Sequence, residues 1–278
     1  MKKQIVAILG AAGLTGCLSV QVPEDNFFYP ETRLEAERIT LEDSAPWPGA
    51  VERLTIPTDG GPVAAAFIPG QTEGGPLILY CGGNLFRMRS HLAYAAEKLA
   101  PFGGAILFDY PGYGDTPGEA DMASFRRVGT AVADYARSRA DAEGRRLITW
   151  GHSLGGPVCA EIAAHSRADA VVLETTTPTA RAAVNQMVGL WRPLVRVQLA
   201  EPLETIDVPG ALSGYGGRVV VLEAGRDDTL PAALSRTLAR DLERNGVAVQ
   251  RLVFPQAGHL DIAEQPDFRE RLTTALSF

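Results

Sequence analysis

The chain has 278 residues, 46% hydrophobic and 21% charged, enough for one large α/β domain or two small ones. Its formal charge is −7, and Lys and Arg occur in nothing longer than short pairs such as Arg126-Arg127 and Arg145-Arg146, which argues against a nucleic-acid partner. It contains no internal repeat and no low-complexity segment.

The first element in chain order is Lys2-Lys3, an apolar run over residues 5–14, and then Leu14-Thr15-Gly16-Cys17. A positive start, a short apolar stretch and small residues at a cut site are the three parts of an export signal, and the run is shorter than the roughly 20 residues a bilayer span needs. The tetrapeptide resembles a bacterial lipobox. That resemblance implies removal of residues 1–16, a lipid on Cys17 and anchoring in the cell envelope. An Asp after the Cys favours inner-membrane retention in the pattern; Leu18 stands there, so the expected destination is the outer membrane, facing periplasm or surface. The competing assignment makes Ile5-Val6-Ala7-Ile8-Leu9-Gly10 the opening of a Rossmann unit. Cleavage would remove Lys2 and Lys3 and no acid, taking the charge from −7 to −9.

Residues 17–50 read as a tether followed by a segment packed on the domain, with Pro23, Pro30, Pro46 and Pro48 and the aromatics Phe27, Phe28, Tyr29 and Trp47. Residues 52–57 and 62–68 flank Asp59-Gly60-Gly61, a hairpin signal. Apolar strands are expected at 77–80, 105–108, 147–150, 170–173, 219–222 and 250–254. Helical stretches at 91–100, 122–140, 154–165, 232–244 and 268–276 separate them. An antiparallel opening followed by strand–helix units predicts an α/β fold, with a mostly parallel twisted sheet and helices on both faces, over residues 51–278. Residues 176–217 form a short cap with one amphipathic helix expected around 179–198, including Met187, Leu190, Trp191 and Val195. Sites in such sheets lie beyond the carboxyl ends of the strands.

The strand at 147–150 runs into Gly151-His152-Ser153-Leu154-Gly155, a nucleophile elbow in which Ser153 occupies a strained strand-to-helix turn. On its own the pentapeptide is a weak signal in a chain with 29 glycines. Its context strengthens it. Cys81-Gly82-Gly83-Asn84 is similar to a His-Gly-Asn oxyanion turn, and Phe108-Asp109-Tyr110-Pro111-Gly112-Tyr113-Gly114-Asp115-Thr116-Pro117-Gly118 resembles an Asp-Tyr-x-Gly-Tyr-Gly-x-Ser-x-Gly loop. With these motifs the chain resembles α/β-hydrolases of the small-lidded, serine-aminopeptidase-like and depalmitoylase-like branches. The resemblance implies that the backbone N–H groups of Asn84 and Leu154 hold an oxyanion. Gly82 stands where the family has His, which removes a usual brace of that turn; Asp109 and Asp115 carry a structural role only.

The acid is expected in Glu223-Ala224-Gly225-Arg226-Asp227-Asp228-Thr229-Leu230-Pro231. A gap-free register on Pro231 selects Asp227, while a register on Gly225 selects Asp228. Among the four histidines, His259 follows the last strand and completes the order Ser…Asp…His; His152 points elsewhere, and His91 and His165 read as helix-surface residues. The implied reaction is cleavage of an ester or thioester, less readily an amide, through an acyl-enzyme. A binding module without turnover and a cofactor-free haloperoxidase or perhydrolase are the alternatives. The sequence holds no metal-ligand cluster and no phosphate-cradling motif, so no cofactor or metal is implied. Cys81 and Cys159 both read as buried, two inert core thiols being the favoured assignment and a disulfide in an oxidising compartment the open alternative.

Overall fold

The structure, a computed structural model, describes residues 18–189 and 195–277. Near-continuous apolar runs make its central strands, because a strand covered on both faces has no polar side to show. Eight strands form one sheet: β2 (Glu52–Ile56), β3 (Val63–Ile68), β4 (Leu77–Cys81), β5 (Gly104–Phe108), β6 (Leu147–His152), β7 (Ala170–Glu174), β9 (Arg218–Ala224) and β10 (Val249–Phe254), in the spatial order β10-β9-β7-β6-β4-β5-β3-β2. The β2–β3 and β3–β5 pairs are antiparallel and the others parallel, as the expected hairpin and crossovers require.

Alternate residues of each strand face different layers. Leu77 and Leu79 of β4 and Val171 and Leu173 of β7 pack on one side with α3 (Met122–Ala142), α4 (Gly155–Ser166) and α8 (Ala233–Arg244). Ile78, Tyr80, Ile148, Trp150 and Val172 pack on the other with α2 (Met88–Leu99) and α9 (Phe268–Leu276). The N-terminal segment is folded too: β1 (Leu18–Val22) and α1 (Glu31–Glu37) precede the sheet, and Phe28 is buried against Phe125 with ring centroids 4.7 Å apart.

The cap departs from expectation. Its helix, α5 (Ala180–Val188), starts on a Thr179 side-chain cap and ends at Gly189, whose φ of 55° leaves the helical region. Leu190 and Trp191 lie outside the described residues, and Val195–Leu199 is a strand, β8, rather than helix. The alternation Val195-Arg196-Val197-Gln198-Leu199 suits a strand with one covered face. β8 pairs in parallel with β1, and Val20 and Val22 join Val184, Val188 and Val195 in a small apolar cluster. The remaining cap turns are α6 (Glu201–Glu204) and α7 (Val208–Ala211).

Two further corrections concern side chains. Cys81 and Cys159 form a disulfide with Cα atoms 5.9 Å apart, so they are not free thiols; the last residue of β4 faces the second turn of α4 closely enough to be joined. His91 is half-buried rather than a surface residue, its ring near Phe86 and its Nδ1 3.3 Å from both backbone atoms N and O of Arg87, and burial lowers its pKa. His165 is exposed and pairs with Asp134 at 2.8 Å.

Candidate active site

The carboxyl ends of β4, β6, β7, β9 and β10 converge on one place. At the end of β6, Ser153 has φ 54°, a left-handed backbone that a non-glycine residue adopts at a cost and that is typical of an elbow. Its N–H donates to the Glu174 carbonyl at 2.9 Å, and its carbonyl accepts from the Thr176 hydroxyl at 2.7 Å. Tight passage of α4 over the sheet requires Gly155: a Cβ there would run into the Cys81 carbonyl.

The acid and base arrive on paired loops. Gly225 N–H donates to the Phe254 carbonyl at 2.9 Å and Arg226 N–H to the Ala257 carbonyl at 2.8 Å, so the turns after β9 and β10 are stitched together. Asp227 Oδ1 accepts the N–H groups of Thr229 and Leu230 at 2.8 and 2.7 Å. Its other oxygen, Oδ2, lies 2.7 Å from His259 Nδ1, with the carboxylate side chain 1% exposed. Asp228 is exposed, and the Thr229 hydroxyl donates to it at 3.4 Å. Thus the gap-free register is the one that brings a carboxylate to His259. With Nδ1 donating to Asp227, the lone pair of His259 resides on Nε2, the state a general base needs.

His259 sits against the elbow through its backbone. Its carbonyl lies 3.0 Å from His152 Nε2 and 3.4 Å from the Thr175 hydroxyl, and Thr175 itself has φ 44°. On the opposite side, a Cβ on Gly83 would stand 3.5 Å from Ser153 Cβ, which puts the 82–84 turn beside the nucleophile position. The turn that carries Asn84 thus lies beside Ser153, and Leu154 is the residue between Ser153 and α4.

Three neighbours of the elbow were not singled out from the sequence. Lys98 and Glu174 form an ion pair with side chains 1% and 0% exposed, and Trp150 Nε1 donates to Glu174 Oε2 at 2.7 Å. Glu174 Oε1 is buried without a hydrogen-bond partner among the described residues. Burial alone would raise the Glu174 pKa, but the Lys98 ammonium pulls it below the usual carboxylate value; burial lowers that of Lys98. His152, buried above this pair, has its pKa lowered to about 4, chiefly by desolvation. It does not point away from the site, as the sequence suggested; it braces the His259 backbone. Register is the missed signal: His152 and Glu174 are directly paired across β6 and β7.

An apolar cavity of about 180 Å³ is lined by Leu154, Phe28, Met122, Phe125, Val158 and Ile162 among others. Leu85 and Leu260, which follow Asn84 and His259, are 42% and 62% exposed, two of the few exposed large apolar side chains among the described residues. Among the described residues no group of three or more His, Cys, Asp or Glu could hold a metal ion.

Solved structures with the same fold include the Pyrococcus furiosus esterase Pf2001, with TM-score 0.64, 12% identity and 85% of this chain aligned to 96% of that one. Another is Est1E of Butyrivibrio proteoclasticus, solved with ferulic acid, with TM-score 0.61, 17% identity and 80% of this chain aligned to 99% of that one. At the sequence level, "Uncharacterized protein Rv2307c" of Mycobacterium tuberculosis is 30% identical over 207 residues, 73% of this chain and 70% of its own length. The "Alpha/beta hydrolase domain-containing protein WAV2" of Arabidopsis thaliana is 24% identical over 67% of this chain and 64% of its own length. Residues 66–206, which run from β3 through the elbow into the cap, match the model of the alpha/beta hydrolase family. By that match and by its sheet order, the chain belongs to the alpha/beta hydrolase family and is a hydrolase.

Proposed function

We propose that the protein is a serine hydrolase of carboxylic esters or thioesters, with Ser153 as nucleophile, His259 as general base and Asp227 as the carboxylate that orients it. The contact between Asp227 Oδ2 and His259 Nδ1, 2.7 Å at the mouth of a strained elbow, is the observation that carries this reading. His259 Nε2 takes the Ser153 proton as Oγ attacks the carbonyl carbon, and Asp227 stabilises the imidazolium that forms. The N–H groups of Asn84 and Leu154 receive the negative charge on the carbonyl oxygen, the latter aided by the N-terminus of α4. Protonation of the leaving group by His259 gives the acyl-enzyme, which water, deprotonated by the same histidine, releases. The exposed Leu85 and Leu260, which follow Asn84 and His259 in the chain, favour an apolar acyl group.

Export and lipidation on Cys17 belong to the same proposal. Cys17 lies outside the described residues; the Lys2-Lys3 start, the Leu14-Thr15-Gly16-Cys17 sequence and the Cys81–Cys159 disulfide, a bond rare in reducing compartments, support it. Anchoring in the envelope, on the outer membrane by the Leu18 pattern, follows from that reading.

Labelling with a fluorophosphonate probe tests the nucleophile. Wild type should label at Ser153 and hydrolyse p-nitrophenyl butyrate, while Ser153→Ala and His259→Ala should lose both. Asp227→Asn should lower kcat by about 10⁴-fold through the wrong imidazole tautomer, and Asp228→Asn should leave it within twofold. A wild type that neither labels nor turns over would return the protein to a non-catalytic role.

A further inference from the structure

Gly82 occupies the position where the resemblance calls for a bracing histidine, and no side chain fits there. A Cβ would collide with the ring of Phe86, and the Gly82 carbonyl instead accepts from the Tyr110 hydroxyl at 2.9 Å. The more extensive brace lies two residues on. Asn84 Oδ1 accepts from the Tyr113 hydroxyl at 2.7 Å and from the Tyr29 N–H at 3.0 Å, and Asn84 Nδ2 donates to the Phe27 carbonyl at 2.7 Å. Tyr29 N–H also reaches the Tyr113 hydroxyl oxygen at 2.7 Å, closing a triangle.

Arg87 locks the triangle from beneath. It is wholly buried, and its guanidinium donates to the Asn84 carbonyl at 3.2 Å, to the Tyr29 carbonyl and to Glu31 Oε1 at 2.8 Å, and lies 4.3 Å from the Tyr113 ring centroid. Glu31 in turn accepts from Gly114 N–H at 2.9 Å and Arg89 at 2.8 Å. Burial pushes the Glu31 pKa up, but these donors, led by Arg87, hold it down at about 2. A wholly buried arginine is costly unless every charge has a partner. Here the partners come from residues 27–31, from the 82–87 turn and from the 110–114 loop, and they converge on one asparagine.

We infer that residues 27–31 are a strap belonging to the catalytic machinery, and that Asn84 (through its side chain), Tyr113 and Arg87 are positioning residues that aim the Asn84 backbone N–H at the oxyanion. The inference rests on the reading of Ser153 as nucleophile. Its physical basis is that an oxyanion donor helps only when it is oriented before charge develops. Leu85, the residue after Asn84, is exposed, so its side chain does not anchor the Asn84 peptide, and an Asn84 side chain tied by three hydrogen bonds to distant backbone and hydroxyl groups supplies the constraint. The N-terminal segment thereby does the work of the absent histidine.

Two variants of the full chain test this, Tyr113→Phe, which removes one hydroxyl with little change of shape, and Glu31→Gln, which weakens the hold on Arg87. The measurements are kcat and KM on p-nitrophenyl butyrate, inhibition by butylboronic acid as a tetrahedral mimic, amide hydrogen exchange across residues 82–87, and the thermal midpoint as a folding control. The expected result is a kcat loss of about 10–100-fold with KM within twofold, a parallel weakening of boronate binding, and faster exchange in the turn, because the donor acts in the transition state and not in ground-state binding. Folded variants with kcat and boronate affinity within twofold of wild type would overturn the strap's role, whether or not exchange changed. A wild type inert to fluorophosphonate would overturn the hydrolase reading and the positioning role with it; a wild type that labels and turns over, beside variants that match it, isolates failure of the strap itself.

Discussion

Lys98 and Glu174 show how much a few buried atoms can weigh in a fold with a modest net stability. A buried ion pair is weak evidence for stability, yet removing one partner leaves an uncompensated charge. Lys98→Met should therefore destabilise the protein by about 3–5 kcal/mol, read as a shift in the urea midpoint. Adding Glu174→Gln should recover most of that loss, since Trp150 Nε1 keeps an acceptor. A single variant as stable as wild type would mean the pair is not desolvated. His152 supplies a pH dependence. Its pKa falls from 6.5 to about 4 in the folded state, so its contribution is full above pH 6.5 and is lost as pH falls through 4. Relative to His152→Gln, wild type should lose up to about 3 kcal/mol across that window. Asp109, pushed by burial up to about 6, works in the opposite sense: its contribution is full below 3.8 and is lost as pH rises towards 6. The comparison with His152→Gln removes that background. Ser153, Asp227 and His259 were legible because each sits in a short motif at a strand end. Lys98 and Glu174 were not, because a lysine on a helix reads as surface until the sheet register puts a carboxylate under it.

At the scale of elements, strand and helix limits follow the apolar runs within a few residues, and α9 matches its expected span. The exceptions share one cause. Pairing of Leu18–Val22 with Val195–Leu199 joins segments far apart in sequence, and the five alternating residues at 195–199 are a strand signal short enough to be absorbed into the longer helical expectation over 179–198 until a partner is known. The disulfide is another non-local feature, a cross-link between β4 and α4 that encloses the two segments carrying Asn84 and Ser153. It spans 78 residues. Closing a loop of that size typically contributes about 2–4 kcal/mol, chiefly by restricting the unfolded chain. Cys81→Ala with Cys159→Ala should lose that amount in urea unfolding, and an unreduced digest of the exported wild type should contain one peptide pair joined through Cys81 and Cys159. Recovery of both cysteines as free thiols would remove the bond and with it one support for export.

For the whole molecule, the arrangement of the N-terminus couples proposed anchoring to the orientation of the site. β1 begins at Leu18, immediately after Cys17, and one residue spans only about 3.5 Å. A lipid on Cys17 would leave almost no slack, so the β1–β8 sheet of the cap would rest close to the bilayer. The cap follows β7, and the site lies at that same carboxyl end of the strands. Substrates dissolved in the membrane would then have the shortest path to Ser153. Charge would not supply this orientation, since a domain that cleavage before Cys17 left at −9 would be repelled by anionic headgroups, which leaves the acyl chains of the anchor to hold it. Cys17→Ala should accordingly move the protein from the membrane fraction to the soluble fraction. It should leave turnover of soluble p-nitrophenyl butyrate within twofold of wild type and reduce, by about tenfold or more, hydrolysis of a long-chain ester presented in anionic vesicles. Equal vesicle activity in the two proteins would mean that the anchor tethers the domain without turning its site to the bilayer, and an unchanged membrane fraction would exclude Cys17 as the anchor.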